Sequence, residues 1–371
     1  MSRIRSSFAL LAGCAVALGF GGTAALAADM GLPTKSAPMA AAAPPPLDIH
    51  GFFEVLWGSD LINPHGQNLG TKGEWSTVAG LNWTVYKGGS WWLNSVTVGG
   101  LVFADFVNRP LEGVWGTLFG PEQYGDLFDF GGALTASATF WQYWTVRDQF
   151  TVVINSHVAG VGSFQALNQC NPTNAAGGFT NPGCGVPPLP ANELRLTFSD
   201  SFTHWWITFN PYVSWFYQFE NFDKTAAGGF GNATQGCFSC RPNSYEFFIG
   251  MDPTVSMAQW WGGIPLTFKA PTYITVGPES FWTGGFGLAP GAVTGFGTIG
   301  NHGNIGIFTT GLTAIYSLKN WIPANYGGWY VRGGFQYYDI INQNLRIDNG
   351  IAVNNSNSNV WVGFAGLGVT F

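Results

Sequence analysis

The sharpest chemical spacing in the chain is Cys237-Phe238-Ser239-Cys240, a Cys-x-x-Cys, with Cys170 and Cys184 upstream of it. Such a pair can exchange electrons as a dithiol or supply half of a zinc site. No second pair repeats the spacing, and no helical pattern follows it to lower a thiol pKa. What remains is the chemistry of disulfides that staple loops in an oxidising compartment. These four cysteines allow three pairings; the expected one is local, within each loop. Histidine chemistry is equally sparse. His50, His65, His157, His204 and His302 have no i,i+4 or other short spacing between them. They are expected as solvated loop or interface residues, with no metal site. Ser156 and His157 are adjacent, which sends their side chains to opposite faces of a strand rather than into a nucleophile–base pair. Gly284-Gly285-Phe286-Gly287 follows no strand-to-helix pattern and is expected as a flexible loop, not a phosphate cradle. No cofactor and no enzymatic activity are expected.

The elements that must position the remaining polar residues show in a period of two. Over 204–220 the odd positions Trp205, Ile207, Phe209, Pro211, Val213, Trp215, Tyr217 and Phe219 oppose Thr208, Asn210, Ser214, Gln218 and Glu220. The same alternation runs through 128–141, 192–200, 303–318 and 327–341, and more weakly through 48–58, 75–86, 91–107, 146–156, 244–258, 264–277 and 359–371. Alternation of this kind predicts strands with one face for lipid and one for water. The connections alternate in length. Long ones are expected at 59–74, 108–127, 157–191, 221–243, 278–302 and 342–358; short ones at 87–90, 142–145, 201–203, 259–263 and 319–326. Trp91-Trp92, Tyr143-Trp144, Trp205-Trp206, Trp260-Trp261 and Trp321 all flank the short ones, as an aromatic girdle at a membrane interface would. The fold expected is all-β: a transmembrane antiparallel barrel of about twelve strands, with both chain ends periplasmic and the six long loops outside the cell.

Strand parity then sends a small set of charges inward: Glu54, Arg147, Glu193, Arg195, Glu246, Lys269 and Arg332. Glu193 and Arg195 lie i,i+2 on one face and are expected to pair. Arg147 and Arg195 come from consecutive strands and should face the lumen close together. Arg332 should lie near Glu54 if the last strand closes on the first. Phe52, Trp206, Tyr212, Phe216, Phe248, Tyr273 and Tyr338 share the inner face. Scarce charge with many inner rings suits a solute with an apolar or π face, where a non-selective pore would carry charge rings. The plainer alternatives are charges that brace the wall by pairing and rings that fill its volume.

Composition supports this class and excludes others. Charged residues are 9% of the 371, against about 25% in a typical soluble domain. Aromatics are 16%, with 17 Trp, too many for a disordered chain. Fourteen Lys and Arg against 20 Asp and Glu, a formal charge of −6, offer no basic footprint for nucleic acid. The start reads as a targeting segment: Arg3 and Arg5, an apolar run from Phe8 to Ala27, and the Ala25-Leu26-Ala27 cleavage pattern. A membrane-spanning helix and a lipoprotein site at Leu11-Ala12-Gly13-Cys14 are the alternatives. The expected organisation is a signal peptide at 1–27, an Ala/Pro-rich periplasmic tether at 28–47, and the barrel at 48–371.

The ending Val360-Trp361-Val362-Gly363-Phe364-Ala365-Gly366-Leu367-Gly368-Val369-Thr370-Phe371 resembles the last strand of Gram-negative outer-membrane proteins. Phe371 is the terminal aromatic, with Val369, Leu367 and Ala365 at alternate positions before it. The resemblance implies residence in the outer membrane and recognition of Phe371 by the barrel-assembly machinery. Strand count and aromatic richness are also similar to the twelve-stranded nucleoside-specific channels. The expected partners are outer-membrane lipid, that machinery and a small-molecule solute. The expected role is a channel for passive or facilitated diffusion of small solutes. The alternatives are a barrel plugged by its loops that acts at the surface, and a lipid-modifying enzyme.

Overall fold

The computed structural model describes residues 47–62, 64–66, 68–88, 91–107, 127–155, 189–218, 244–259, 263–282, 291 and 293–371. The targeting segment, all five cysteines, Ser156-His157, Gly284–Gly287, Trp260-Trp261 and all of the tether but Leu47 lie outside the described residues. Alternating apolar and polar residues build strands β1 (Asp48–Ile62), β2 (Asn68–Lys87), β3 (Leu93–Val107), β4 (Leu127–Phe140) and β5 (Trp144–Asn155). Four further crossings are each made of two collinear strands. These are β6 (Leu189–Ser199) with β7 (Phe202–His204), β8 (Ile207–Phe209) with β9 (Pro211–Gln218), β10 (Ser244–Met251) with β11 (Thr254–Ser256), and β12 (Leu266–Lys269) with β13 (Thr272–Val276). Helix α1 (Glu279–Trp282) and the small hairpin of β14 (Val293–Thr294) and β15 (Gly297–Thr298) follow. The chain ends with β16 (Ile305–Ser317), β17 (Gly328–Ile340), helix α2 (Gln343–Val353) and β18 (Asn359–Thr370).

Each crossing pairs antiparallel with its neighbours, and β1 pairs with β18 from Phe52↔Thr370 to Gly58↔Phe364. The result is a closed 12-strand barrel. Closure leaves no sheet edge, which is what hydrocarbon surroundings demand of a β-structure. Three of the four breaks within crossings fall at Asn210-Pro211, Asp252-Pro253 and Ala270-Pro271; the fourth is at Asp200-Ser201. Proline has no N–H to give the ladder. The neighbours compensate: Asp252 N donates to Asn210 O at 3.1 Å, Ala270 N to Pro253 O at 2.9 Å, and Gly311 N to Pro271 O at 3.0 Å.

Two expected connections are corrected. Pairing of β1 with β2 continues past a bulge through Asp60↔Thr71 to Ile62↔Asn68, so 59–74 is mostly strand around a tight connection. Residues 202–204 are strand too, paired with β8, and the turn is Trp205-Trp206. Trp206 therefore sits exposed in a turn and not on the lumen wall. The turn at Trp141-Gln142 has positive φ at both residues, 48° and 70°. That is the backbone twist a two-residue hairpin needs, adopted here without Asn or Gly.

Side-chain parity is that of a membrane barrel. Leu134 (69% exposed), Val102 (61%) and Leu81 (53%) face outward; Glu54, Glu246 and Thr309, each at 0%, face inward. Trp91, Trp92, Tyr143, Trp144, Trp205 and Trp321 are exposed around the turn end. A second belt marks the loop end, where Trp361 packs on Tyr337 at 4.8 Å and on Phe335 at 5.7 Å, with Trp75 on β2 and Tyr245 on β10 also exposed. From Trp361 to Phe371 the strand rises about 33 Å, or about 25 Å along the axis of a barrel with tilted strands, the height of an apolar lipid-facing band.

Candidate functional site

The loop end of the lumen is filled by chain that folds inward. Ile62, Phe216, Phe248, Tyr273, Phe281, Trp282, Ile307, Tyr338, Ile340, Leu345, Val360 and Val362 form one buried apolar cluster. Wall residues supply most of it; α1 supplies Phe281 and Trp282, and α2 supplies Leu345. Asn342 caps α2, accepting from Asn344 N at 2.9 Å, and its Nδ2 donates to Gly303 O at 3.0 Å. Asn344 Nδ2 donates to the carboxylate of Glu279 in α1 and to Gly300 O at 2.7 Å. The same carboxylate accepts from His302 N. The two helices and the intervening loop are thus tied into one plug.

The β1–β2 turn completes it. Tyr273 Oη donates to Pro64 O at 3.2 Å, and Tyr338 Oη to Ile62 O at 3.4 Å. Asn349 of α2 donates to Gly66 O at 3.0 Å and accepts from Asn68 N at 2.9 Å. Gly66 has φ +84°, and a Cβ there would overlap Ile307 and Leu345. His65, at the tip of the turn, is 3% exposed. It lies against the rings of Phe216 at 4.6 Å and Phe248 at 5.5 Å, and its Nδ1 meets the Glu246 carboxylate. Burial, and then the nearby Arg195 charge, hold the imidazole well below its ordinary titration range. The expectation of a solvated His65 is therefore corrected. A lone His in a short polar stretch carries no sign of a pocket built by Phe216 and Phe248 from distant strands and Phe281 from α1.

Beneath the plug lies a cavity of about 320 Å³. Arg195, Lys269, Arg332, Asp60, Glu74 and Asp252 bring charge to its lining; Tyr212, Phe248, Tyr273, Tyr338 and Phe364 bring rings. The inward residues expected from sequence sort into three groups. Arg332 pairs with Glu54: Nη2 donates to Oε2 at 2.9 Å, and Nε lies 2.5 Å from Oε1 as an ion-pair contact that is not aligned for a hydrogen bond. Arg147 and Arg195 are register partners across β5 and β6, and Arg147 donates to Gln149 at 2.5 Å. Buried Glu193 lies within electrostatic reach of both arginines. It forms no ion pair with Arg195 among the described residues. Arg195 lies instead over the rings of Phe248 at 5.0 Å and Phe216 at 5.6 Å. Glu246 belongs to the plug seat, and Lys269 lines the cavity beside Asp252 on the neighbouring crossing. Sequence alone does not mark Asp60, Glu74 and Asp252 as lining residues. Asp60 and Glu74 lie in a stretch of loop-like composition, and Asp252 precedes a proline that breaks its crossing. Phe371, at the turn end, exchanges backbone hydrogen bonds with Gly51 at 2.7 and 2.9 Å. Among the described residues no group of three or more His, Cys, Asp or Glu is placed to hold a metal ion.

A closed antiparallel barrel with an apolar outer face, aromatic belts at both ends and a polar, partly filled lumen is a transmembrane β-barrel of the outer-membrane class. No protein family and no curated protein matches the chain. Among solved structures, an outer-membrane channel from Pseudomonas putida F1 is similar over 91% of this chain and 100% of its own, at 10% identity and a TM-score of 0.41. The β-domain of the Bordetella autotransporter BrkA covers 87% and 100% respectively, at 11% identity and a TM-score of 0.38. OprB from Pseudomonas putida covers 88% and 94%, at 10% identity and a TM-score of 0.33. At these values nothing about cargo transfers to this chain; the class rests on the strand pairing and the two faces of the wall.

Proposed function

We propose that the barrel is an outer-membrane channel that passes small solutes by passive or facilitated diffusion, with the plug set across its extracellular mouth. The observation that carries this reading is the 320 Å³ cavity inside the wall, lined by charged and aromatic side chains. A barrel needed only as an anchor gains nothing from buried charges around an empty space, because each such charge costs several kcal/mol to desolvate. Eight-stranded barrels fill their interior with side chains, and sixteen strands leave a wide water channel. Twelve leave a narrow lumen that loops can restrict. The inward residues from Glu54 to Tyr338 are the proposed lining of the path. The expected result in planar bilayers is a small, steady conductance that rises when the plug is displaced. A correctly folded barrel that is silent with and without its plug would remove the channel reading. The packed mouth favours one alternative, a permanently plugged barrel acting through its outer surface, which that silence would support.

A further inference from the structure

The lipid-facing wall carries an acid where hydrocarbon surrounds it. Among the described residues, Asp148 on β5 is the one charged side chain that faces outward between the two aromatic belts. The parity of its strand is plain. Gln149 and Thr151 are buried on the inner face, beside Arg147; Trp144, Asp148 and Phe150 are exposed on the outer one. The register fixes its height. One rung of paired residues runs from Trp83 on β2 through Val98, Ala136, Asp148, Leu194 and Tyr217 to Tyr245 on β10. Such a rung climbs the wall, because the strands of these barrels tilt by about 35–45°. Trp83 stands toward the turn end and Tyr245 at the loop end, and Asp148 is three crossings from each. It therefore lies at mid-height. Its outer-face neighbours are Ala136 and Leu194 across the ladder and Val146 and Phe150 along the strand. None of these side chains can donate a hydrogen bond, and the Asp148 carboxyl forms no hydrogen bond or ion pair among the described residues.

Lipid tails offer a carboxyl group nothing, and an ionisable side chain at this depth points to a partner. A second wall cannot supply a base: among the described residues no Lys or Arg faces outward between the belts. A carboxyl group is, however, its own complement. With its proton it has one donor and one acceptor, and two of them face to face exchange two O–H···O bonds. A twofold interface sets a residue against its own copy, whereas the contacts around a larger ring are head-to-tail. Two walls related by an axis along the membrane normal cross at about twice the strand tilt, roughly 70–90°, and so touch in one compact patch. Ala136, next to the carboxyl on β4, lets the two backbones come close, as small side chains do in other intramembrane contacts. We propose that the barrel pairs with a second copy of itself through the outer face of β4, β5 and β6, its Asp148 carboxyl hydrogen-bonded to that of the copy across a twofold axis. Each carboxyl is incomplete without the other. The contact uses no lumen residue, so it stands or falls apart from the channel reading.

The test mixes differently labelled copies of the protein in lipid vesicles and follows energy transfer between them as protein is diluted with lipid. The unaltered chain is expected to associate in pairs and no further. Asp148→Leu should lower the association constant at least about tenfold, the scale of one or two hydrogen bonds within a membrane. Asp148→Asn should keep most of the association, because two side-chain amides form the same reciprocal pair. Asp148→Lys protein should not pair with itself. Mixed with the unaltered chain it should form pairs again, since each carboxyl then meets an ammonium at the same position. That mixture reads residue 148 against its own copy. Unaltered protein that stays single at every density overturns the proposal and needs no variant to do so. Association beyond pairs, or association that Asp148→Leu leaves unchanged, overturns it too. So do mixtures with the Asp148→Lys protein that pair no better than that variant does alone.

Discussion

Glu54 and Arg332 show what a lumen charge costs and how it is kept. Glu54 is fully buried, and both its oxygens lie against one guanidinium from β17, Oε2 by a hydrogen bond and Oε1 by charge contact alone. Removing one member leaves the other buried without a counter-charge, which destabilises by about 3–5 kcal/mol. Glu54→Gln is therefore expected to lower the urea midpoint at which the compact, fast-migrating band on an unheated gel is lost. Replacing both, Glu54→Leu with Arg332→Met, is expected to recover most of that loss, because no charge is then stranded. A Glu54→Gln barrel as stable as the parent would mean that lumen water, not Glu54, satisfies Arg332. The proximity of this pair was readable from the sequence by parity and by closure of the last strand on the first. The seating of His65 was not, because it depends on Phe216, Phe248 and Glu246 from crossings far along the chain and on Phe281 of α1.

At the scale of the strand, the two faces differ in what they tolerate. Leu134 lies midway along β4 and is 69% exposed to the outside. Gln336 of β17 lines the cavity. Leu134→Arg puts a charge into hydrocarbon at about 2–4 kcal/mol, while Gln336→Arg enters a wet lumen and is expected to cost far less. Folding yields into lipid vesicles at matched urea concentrations measure the difference; equal yields would undo the assignment of faces. The positions of all twelve crossings were legible because the period of two runs the length of each one. Their ends were less so. Residues 59–74 contain Asp60, Asn63, Pro64, Gly66, Asn68 and Gly73, a composition that reads as loop. Pairing overrides it, because β1 and β2 lie side by side and extend their ladder wherever the backbones can meet. The turn at Trp205-Trp206 escaped for a similar reason: the girdle's demand for rings outweighs the usual turn residues.

Over the whole molecule, the wall and the plug are stabilised in different ways. The wall is a continuous ladder of neighbouring crossings, closed on itself. The plug is three separate pieces, the 64–66 turn, α1 and α2, joined by Asn342, Asn344 and Asn349 and by the packing of Trp282 and Leu345. Each large side chain buried in it contributes about 1.5–3 kcal/mol, yet none of the barrel's ladder bonds depends on α2. Displacing α2 should therefore leave the barrel folded and change what crosses it. Two variants bring this about from different sides. One exchanges 343–353 for a flexible Gly/Ser segment of equal length. The other, Gly66→Val, forces a branched side chain against Ile307 and Leu345 at a backbone angle that valine resists. Both are expected to keep heat-modifiable migration on gels and to raise the single-channel conductance in planar bilayers above that of the parent. The helix exchange should have the larger effect, because it also frees Asn68 and the Gly66 carbonyl from Asn349. If both variants fold and conductance stays at the parental level, the constriction lies elsewhere in the lumen, and the inward-folded loops are a structural filling rather than a gate.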